Sequence, residues 1–242
     1  MKNIKRWSRQ NKMCLVSHKY KFIYVKTYKT ASSSLYRLFS AYCCIPAAAD
    51  ELAAAWGSEK HQTLNVPILS KYGSIGTKNN GTKIENWGSH IPLSAVKREL
   101  GEKIFNSYFK FTSVRDPFDQ AISMFYHINE KLKYCTEPGH VIELFHNFLK
   151  NEYDADQNWN QYAIDDTPSC DDYIRFEDLD NEINRILQIL NIEPKYKVQQ
   201  LRKYMPPVCG SNFLFRPYNR DLYNTMFKKE LDLFGYEVRP EN

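Results

Sequence analysis

Two groups of residues in this chain have the types and spacing to hold an anion. The first is Lys29-Thr30-Ala31-Ser32-Ser33-Ser34, which closely follows a short apolar run, Phe22-Ile23-Tyr24-Val25. The lysine supplies a mobile positive charge and the serine hydroxyls supply donors. If a helix starts at the serines, several backbone N–H groups and the positive end of the helix dipole meet at one point, which suits a phosphate. The second group is Arg115 with Ser123 eight residues further on. A guanidinium offers a planar fork to phosphate oxygens, and a hydroxyl adds a donor. Each group also has a plainer reading. Lys29 and the serines would equally form a basic strand end with a serine N-cap. Arg115 would equally pair with Asp116 or Asp119, and Ser123 would face a core.

The elements that carry these residues follow from composition and period. Phe22 to Val25, β-branched and aromatic, reads as a buried strand. From Leu35, Tyr36, Leu38 and Phe39 onward the apolar spacing becomes helical, so strand, tight loop and helix follow in order to about Tyr42. Before them, residues 1–20 form a polar lead-in. Pro46 closes the helix, and Ala47 to Trp56 is strongly helix-forming, a lid or wall over the site. Residues 57–88 are irregular and rich in Gly, Asn, Thr and Lys, a stretch whose length suits acceptor contacts. Ile91 to Leu100 reads as a helix with Pro92 in its first turn, and His90 stands just before it. Tyr108 to Val114 is the next strand, followed by Arg115-Asp116-Pro117 and a helix to about Leu132. Val141 to Lys150 fits another helix. Asp172 to Phe176 reads as a strand, and Glu177 to Leu190 as its helix, with acids in the first turn as the dipole prefers. Arg220 to Phe234 is the last long helix. Strands alternating with helices define an α/β domain with a mainly parallel sheet.

With 242 residues, 43% of them hydrophobic, the chain has the length and composition of a single globular domain, 1–242. It contains no apolar run long enough to cross a bilayer. Its N-terminal residues, MKNIKRWSRQNKM, are basic but lack the apolar core of a signal peptide, so a cytoplasmic protein is expected. A net charge of +5 suits an anionic cofactor or acidic acceptor, but without basic clusters it does not point to nucleic acid. Six cysteines, Cys14, Cys43, Cys44, Cys135, Cys170 and Cys209, show no metal spacing and read as free thiols, mostly buried.

The lysine-serine stretch resembles the 5′-phosphosulfate loop of sulfotransferases that use 3′-phosphoadenosine 5′-phosphosulfate (PAPS), a strand followed by PKTGGTS or PKTAGTS. Residues 29 to 34 match KTAGTS, with Tyr28 in place of proline and Ser32 in place of glycine. Losing that glycine narrows the backbone angles, so a positive φ at Ser32 would be strained. Val114 to His127, VRDPFDQAISMFYH, resembles the family's 3′-phosphate motif RNPYDRLVSAY at Arg115, Pro117, Asp119, Ser123 and Tyr126, with Gln120 replacing an arginine. The two motifs stand in the family's order, about eighty residues apart. DYIRFEDL, from Asp172 to Leu179, is similar to the family's GRFENL segment, and ELDLFGY to its closing helix. The likeness covers most of the chain and is greatest to the carbohydrate sulfotransferases.

This resemblance implies a P-loop-like, three-layer α/β fold. It implies PAPS as co-substrate, 3′,5′-bisphosphoadenosine (PAP) as product, and no metal. It places the cofactor on Lys29, Thr30, Ala31, Ser32, Ser33, Ser34, Arg115 and Ser123. Lys29 would also be catalytic. The acceptor would be a hydroxyl of a saccharide or glycoconjugate. Many eukaryotic relatives are Golgi-anchored, and here a soluble form is expected. Phe176 would line the adenine site by analogy, or sit in the core; Arg202 and Arg216 would be further anion contacts, or surface residues.

The physical rival is a P-loop kinase. Its signature, GxxxxGKS or GxxxxGKT, ends a glycine-rich loop with the lysine, and the hydroxyl holds magnesium. In this chain the lysine comes first, and no aspartate ends a hydrophobic strand to hold a metal. A non-catalytic nucleotide-binding relative is the other alternative. Transfer to a hydroxyl needs a base, and histidine titrates in the right range. Of the six histidines, His90 stands at a helix start between the two motifs, where relatives also carry one. It would be the catalytic base, or a surface or capping histidine, with His61 and Glu85 next in line.

Overall fold

The alternation along Phe22-Ile23-Tyr24-Val25 sends side chains to two faces of a sheet, and both faces are covered. The fold is given by a computed structural model that describes residues 14–43, 69–70, 73–75, 90–129, 132, 138–196, 198, 214 and 220–237. Its strands are β1 (Leu15–Ser17), β2 (Phe22–Val25), β3 (Leu69–Ser70), β4 (Gly73–Ile75), β5 (Phe109–Val114), β6 (Ala163–Ile164), β7 (Thr167–Pro168) and β8 (Asp172–Arg175). The helices are α1 (Ser32–Ser40), α2 (Leu93–Leu100), α3 (Glu102–Ser107), α4 (Pro117–Ile128), α5 (Pro138–Asn151), the single turn α6 (Trp159–Tyr162), α7 (Leu179–Ile189), α8 (Arg220–Met226) and α9 (Lys228–Phe234).

The chain divides into two compact units, Met1–Val114 with Asn160–Arg202, and Arg115–Trp159 with Lys203–Asn242. The first holds a six-stranded sheet in the order β3-β4-β1-β2-β5-β8. Strands β2, β5 and β8 run parallel, with Val25 opposite Thr112 and Val114 opposite Arg175. Strands β1, β4 and β3 extend the other edge antiparallel. On one face Phe22, Tyr24, Phe111 and Ile174 pack with Leu35, Leu38 and Phe39 of α1 and Ile183, Ile186 and Leu187 of α7. On the other, Val16, Ile23 and Val25 pack with Ile91, Leu93 and Val96 around α2, and Phe105 of α3. This is the expected three-layer α/β fold with a parallel centre. Arg185 of α7 forks onto Asp172 of β8 at 2.6 and 2.9 Å, tying that strand to its helix.

The second unit is helical, with an aromatic core. Phe125 lies 5.1 to 5.5 Å from the rings of Tyr126, Phe145 and Phe148. Phe118 meets Tyr223 and Phe227 edge-on, at 5.6 and 5.4 Å. Such pairs place the positive edge of one ring against the negative face of the other.

Several elements differ from expectation. The lead-in contains β1, whose Leu15 and Val16 are fully buried. The irregular stretch 57–88 contains β3 and β4. The helix after His90 starts at Leu93, with Pro92 extended at its N-cap (φ −62°, ψ 144°). Helix α3 was not expected, and α4 ends at Ile128. The last helix is two, broken at Phe227. The Ala47–Trp56 helix, the remainder of 57–88 with His61 and Glu85, and Arg202 and Arg216 lie outside the described residues. Cys14, Cys43 and Cys170 are free thiols; burial pushes Cys14 up to about 12, so it stays protonated. No helix among the described residues is long and apolar enough to cross a membrane.

Candidate active site

Beyond the carboxyl end of β2 the chain makes a tight turn before α1. Two residues in it take left-handed backbone conformations, Lys29 (φ 61°) and Ala31 (φ 58°). Non-glycine residues adopt such angles at a cost of about 1–2 kcal/mol each, which the surrounding contacts must offset. Ser32 is not one of them. It is the first residue of α1, so the missing glycine leaves no strain at that position. Ala31 is the N-cap, and its methyl group cannot cap anything; no acidic residue sits in the first turn. The Ala31 carbonyl accepts from Ser34 N–H at 2.8 Å and Leu35 N–H at 3.2 Å, which closes the turn. Helix α1 therefore begins with its positive end uncompensated by a side chain of its own, three residues after Lys29.

A directed chain of hydroxyls holds this loop to the end of β5. Each hydroxyl has one proton to give. Thr27 donates its proton to the Ser113 carbonyl at 2.6 Å. Thr30 Oγ1, 2.8 Å from Thr27 Oγ1, must then donate to it. Ser113 Oγ, 2.8 Å from Thr30 Oγ1, donates in turn to Thr30. Tyr24 completes the chain, with its hydroxyl 3.3 Å from Ser113 Oγ and 3.4 Å from the Ser32 carbonyl. Burial raises the Tyr24 phenol well above its ordinary range, so it keeps its proton. The Ser32 hydroxyl donates to the Thr27 carbonyl. The hydroxyls of Thr30 and Ser32 thus serve the scaffold, and what these two residues can offer a ligand is main chain. Ser33 is exposed and Ser34 half-buried.

His90 lies against the same loop. A carbonyl only accepts, so the 2.9 Å contact between His90 Nδ1 and the Lys26 carbonyl puts the imidazole proton on Nδ1. In the neutral ring, Nε2 then carries the lone pair. The ring stacks on Tyr28, centroid to centroid 3.6 Å with 11° between planes. Burial, and next the charge of Lys26, lower the His90 pKa from 6.5 to about 3; the hydrogen bond to the Lys26 carbonyl opposes this without reversing it. The Lys26 side chain is itself buried, with Nζ 5.9 Å from the centre of the Tyr36 ring.

Arg115 and Ser123 belong to the second unit, Arg115 as its first residue and Ser123 in the middle of α4, both half-buried. Asp116 does not act simply as a partner for Arg115. Its Oδ1 accepts from Phe118 N–H at 2.9 Å and Asp119 N–H at 3.1 Å, capping α4. Phe176 is half-buried in the 3₁₀ turn Phe176–Asp178 after β8, not in the core. Sequence reasoning did not assign Tyr24, Lys26, Thr27, Tyr28 or Ser113 to the site. The only signal for them was position, at or just beyond the ends of two strands.

A lysine and a helix start without a side-chain cap lie beyond the carboxyl end of a parallel strand in an α/β fold, an arrangement whose chemistry suits an anion. The chain belongs to the sulfotransferase family, whose model matches residues 12–237 and so takes in both motifs. The reaction of that family is sulfuryl transfer. No curated protein and no solved structure matches the chain.

Proposed function

We propose that this chain transfers the sulfuryl group of PAPS to a hydroxyl of a carbohydrate acceptor, by in-line displacement at sulfur. The observation that carries this reading is the α1 start, which has no side-chain cap of its own and begins three residues after Lys29. PAPS supplies the sulfuryl group and departs as PAP. Lys29 and the main chain from Thr30 to Ser34 hold the 5′-phosphosulfate, with the exposed Ser33 and half-buried Ser34 adding hydroxyl donors. Lys29 matters most as charge grows on the departing oxygen, because that is where transition state and ground state differ. Arg115 and Ser123 hold the 3′-phosphate.

His90 accepts the acceptor hydroxyl's proton at Nε2, the nitrogen its hydrogen bond leaves unprotonated. In the ligand-free protein it is a weak base, partly because of Lys26. An anion in the loop offsets the Lys26 charge and raises the imidazole's basicity, so donor binding prepares the base. We read 1–242 as one catalytic domain, because the chain passes between the two units three times, after Val114, Trp159 and Arg202, so neither unit is one continuous stretch. Residues 57–88 would reach the acceptor. The free thiols suit a reducing, cytoplasmic setting. The test is incubation with sulfur-labelled PAPS and a panel of saccharide, phenol and peptide hydroxyls. Label on a saccharide supports the reading, and label confined to a phenol or peptide would replace the acceptor class.

A further inference from the structure

We propose that Tyr28 is a positioning residue for sulfuryl transfer, its ring holding the His90 imidazole in the orientation that presents Nε2 to the acceptor. The inference rests on the reading of His90 as the base. A single hydrogen bond does not fix a ring. The contact from Nδ1 to the Lys26 carbonyl holds one atom and leaves the imidazole free to tilt about the axis of that bond. It also leaves open a half-turn about χ2 at the cost of one hydrogen bond. The face of Tyr28, 3.6 Å away and 11° from parallel, removes the tilt and covers one side of the ring from water.

Both constraints come from the stretch that leads into Lys29. Lys26 offers its carbonyl, Tyr28 its ring, and Lys29 is the next residue. Thr27, between the first two, is anchored to the Ser113 carbonyl at 2.6 Å. The base is therefore built onto the donor loop itself, and its position relative to Lys29 is set within four residues. A proline at position 28, the residue in the motif this loop resembles, has no aromatic face to provide this contact.

The test is ¹⁵N NMR of the His90 imidazole at neutral pH in the wild type, Tyr28→Phe and Tyr28→Leu. It is joined with turnover, acceptor KM and PAP affinity. Wild type and Tyr28→Phe should show one tautomer, protonated at Nδ1. Tyr28→Leu, which keeps bulk but loses the flat face, should show a mixture, because a ring that tilts breaks the Nδ1 contact with the Lys26 carbonyl for part of the time. Its kcat should fall about tenfold, the scale of a modest misplacement of a reacting group, with PAP affinity within about twofold. An unchanged tautomer or an unchanged kcat in Tyr28→Leu overturns the proposal. If Tyr28→Leu does not fold, Tyr28→Phe decides alone, because mixed tautomers there would assign the constraint to the hydroxyl and overturn the role of the ring. His90→Ala separates the two levels. Full turnover in that variant removes the base itself, whereas lost turnover beside an unaffected Tyr28→Leu removes only the positioning role.

Discussion

The helices that follow β2 and β5 begin in opposite ways. At α1 the N-cap is Ala31, left-handed and without a polar side chain, and the first turn holds no acid. At α4 the N-cap is Asp116, whose carboxylate accepts two main-chain N–H groups, with Pro117 at N1 and Asp119 in the first turn. A helix start that already holds its own carboxylate has little left to offer another anion. One that lacks it keeps N–H groups and dipole for a ligand. The two motifs therefore bind by different means if they bind one nucleotide. The first would use main chain and helix dipole with Lys29; the second would use side chains, Arg115 and Ser123.

The largest effect should come from the open side. Lys29→Ala is expected to lower kcat by about 10²–10³, the loss typical of removing one donor to a developing negative charge, with a much smaller effect on PAP affinity. Steady-state kinetics with calorimetry separates the two. On the capped side the pattern should invert. Arg115→Ala is expected to weaken PAP binding by about 1.5–3 kcal/mol, because that charge-assisted contact is shared by ground and transition states. Unchanged binding in a calorimetric titration would remove Arg115 from the 3′-phosphate site.

The open side also has a pH signature in stability. His90 titrates near 3 in the folded protein, below its ordinary 6.5. A depressed pKa means that unfolding takes up a proton. The contribution is complete above about pH 6.5 and is lost as pH falls from there toward 3. Between pH 7 and 5 the wild type should lose on the order of 1–2 kcal/mol more than His90→Gln in urea unfolding. Equal losses would mean that the imidazole is not buried in its neutral form. The smallest effect is local to the capped start. Asp116→Ala should cost about 1 kcal/mol, the usual value of an N-cap, measured by thermal or urea unfolding.

The α1 start could be read from sequence because two signals meet there. An apolar run buried on both faces gives way to helical spacing, and the lysine and serines fall at the change. The α4 start was legible as a boundary, through Asp116-Pro117, although Asp116 serves as a cap. Strand β1 was hidden because three residues cannot show a period, and α3 because Phe105 is its only buried residue. The break at Phe227 carries neither proline nor glycine to mark it. The bracing of the site was beyond sequence for another reason. Thr27 meets Ser113 across 86 positions, and Tyr28 meets His90 across 62, through side-chain contacts that depend on the finished sheet. Ser32, in the place of the motif's glycine, is helical as a serine there requires, and the left-handed angles fall instead on Lys29 and Ala31, which no sequence signal marked.

The central claim is that the open start of α1 takes the 5′-phosphosulfate of a 3′-phosphorylated adenine nucleotide. The most direct measurement is thermal melting of the full chain with PAP, AMP, and ATP plus magnesium. PAP alone should raise Tm without magnesium, since saturation at a hundredfold over Kd adds about 2.7 kcal/mol. AMP, which lacks the 3′-phosphate, should raise it much less. Stabilisation by ATP with magnesium and none by PAP would contradict the account and point instead to phosphoryl transfer.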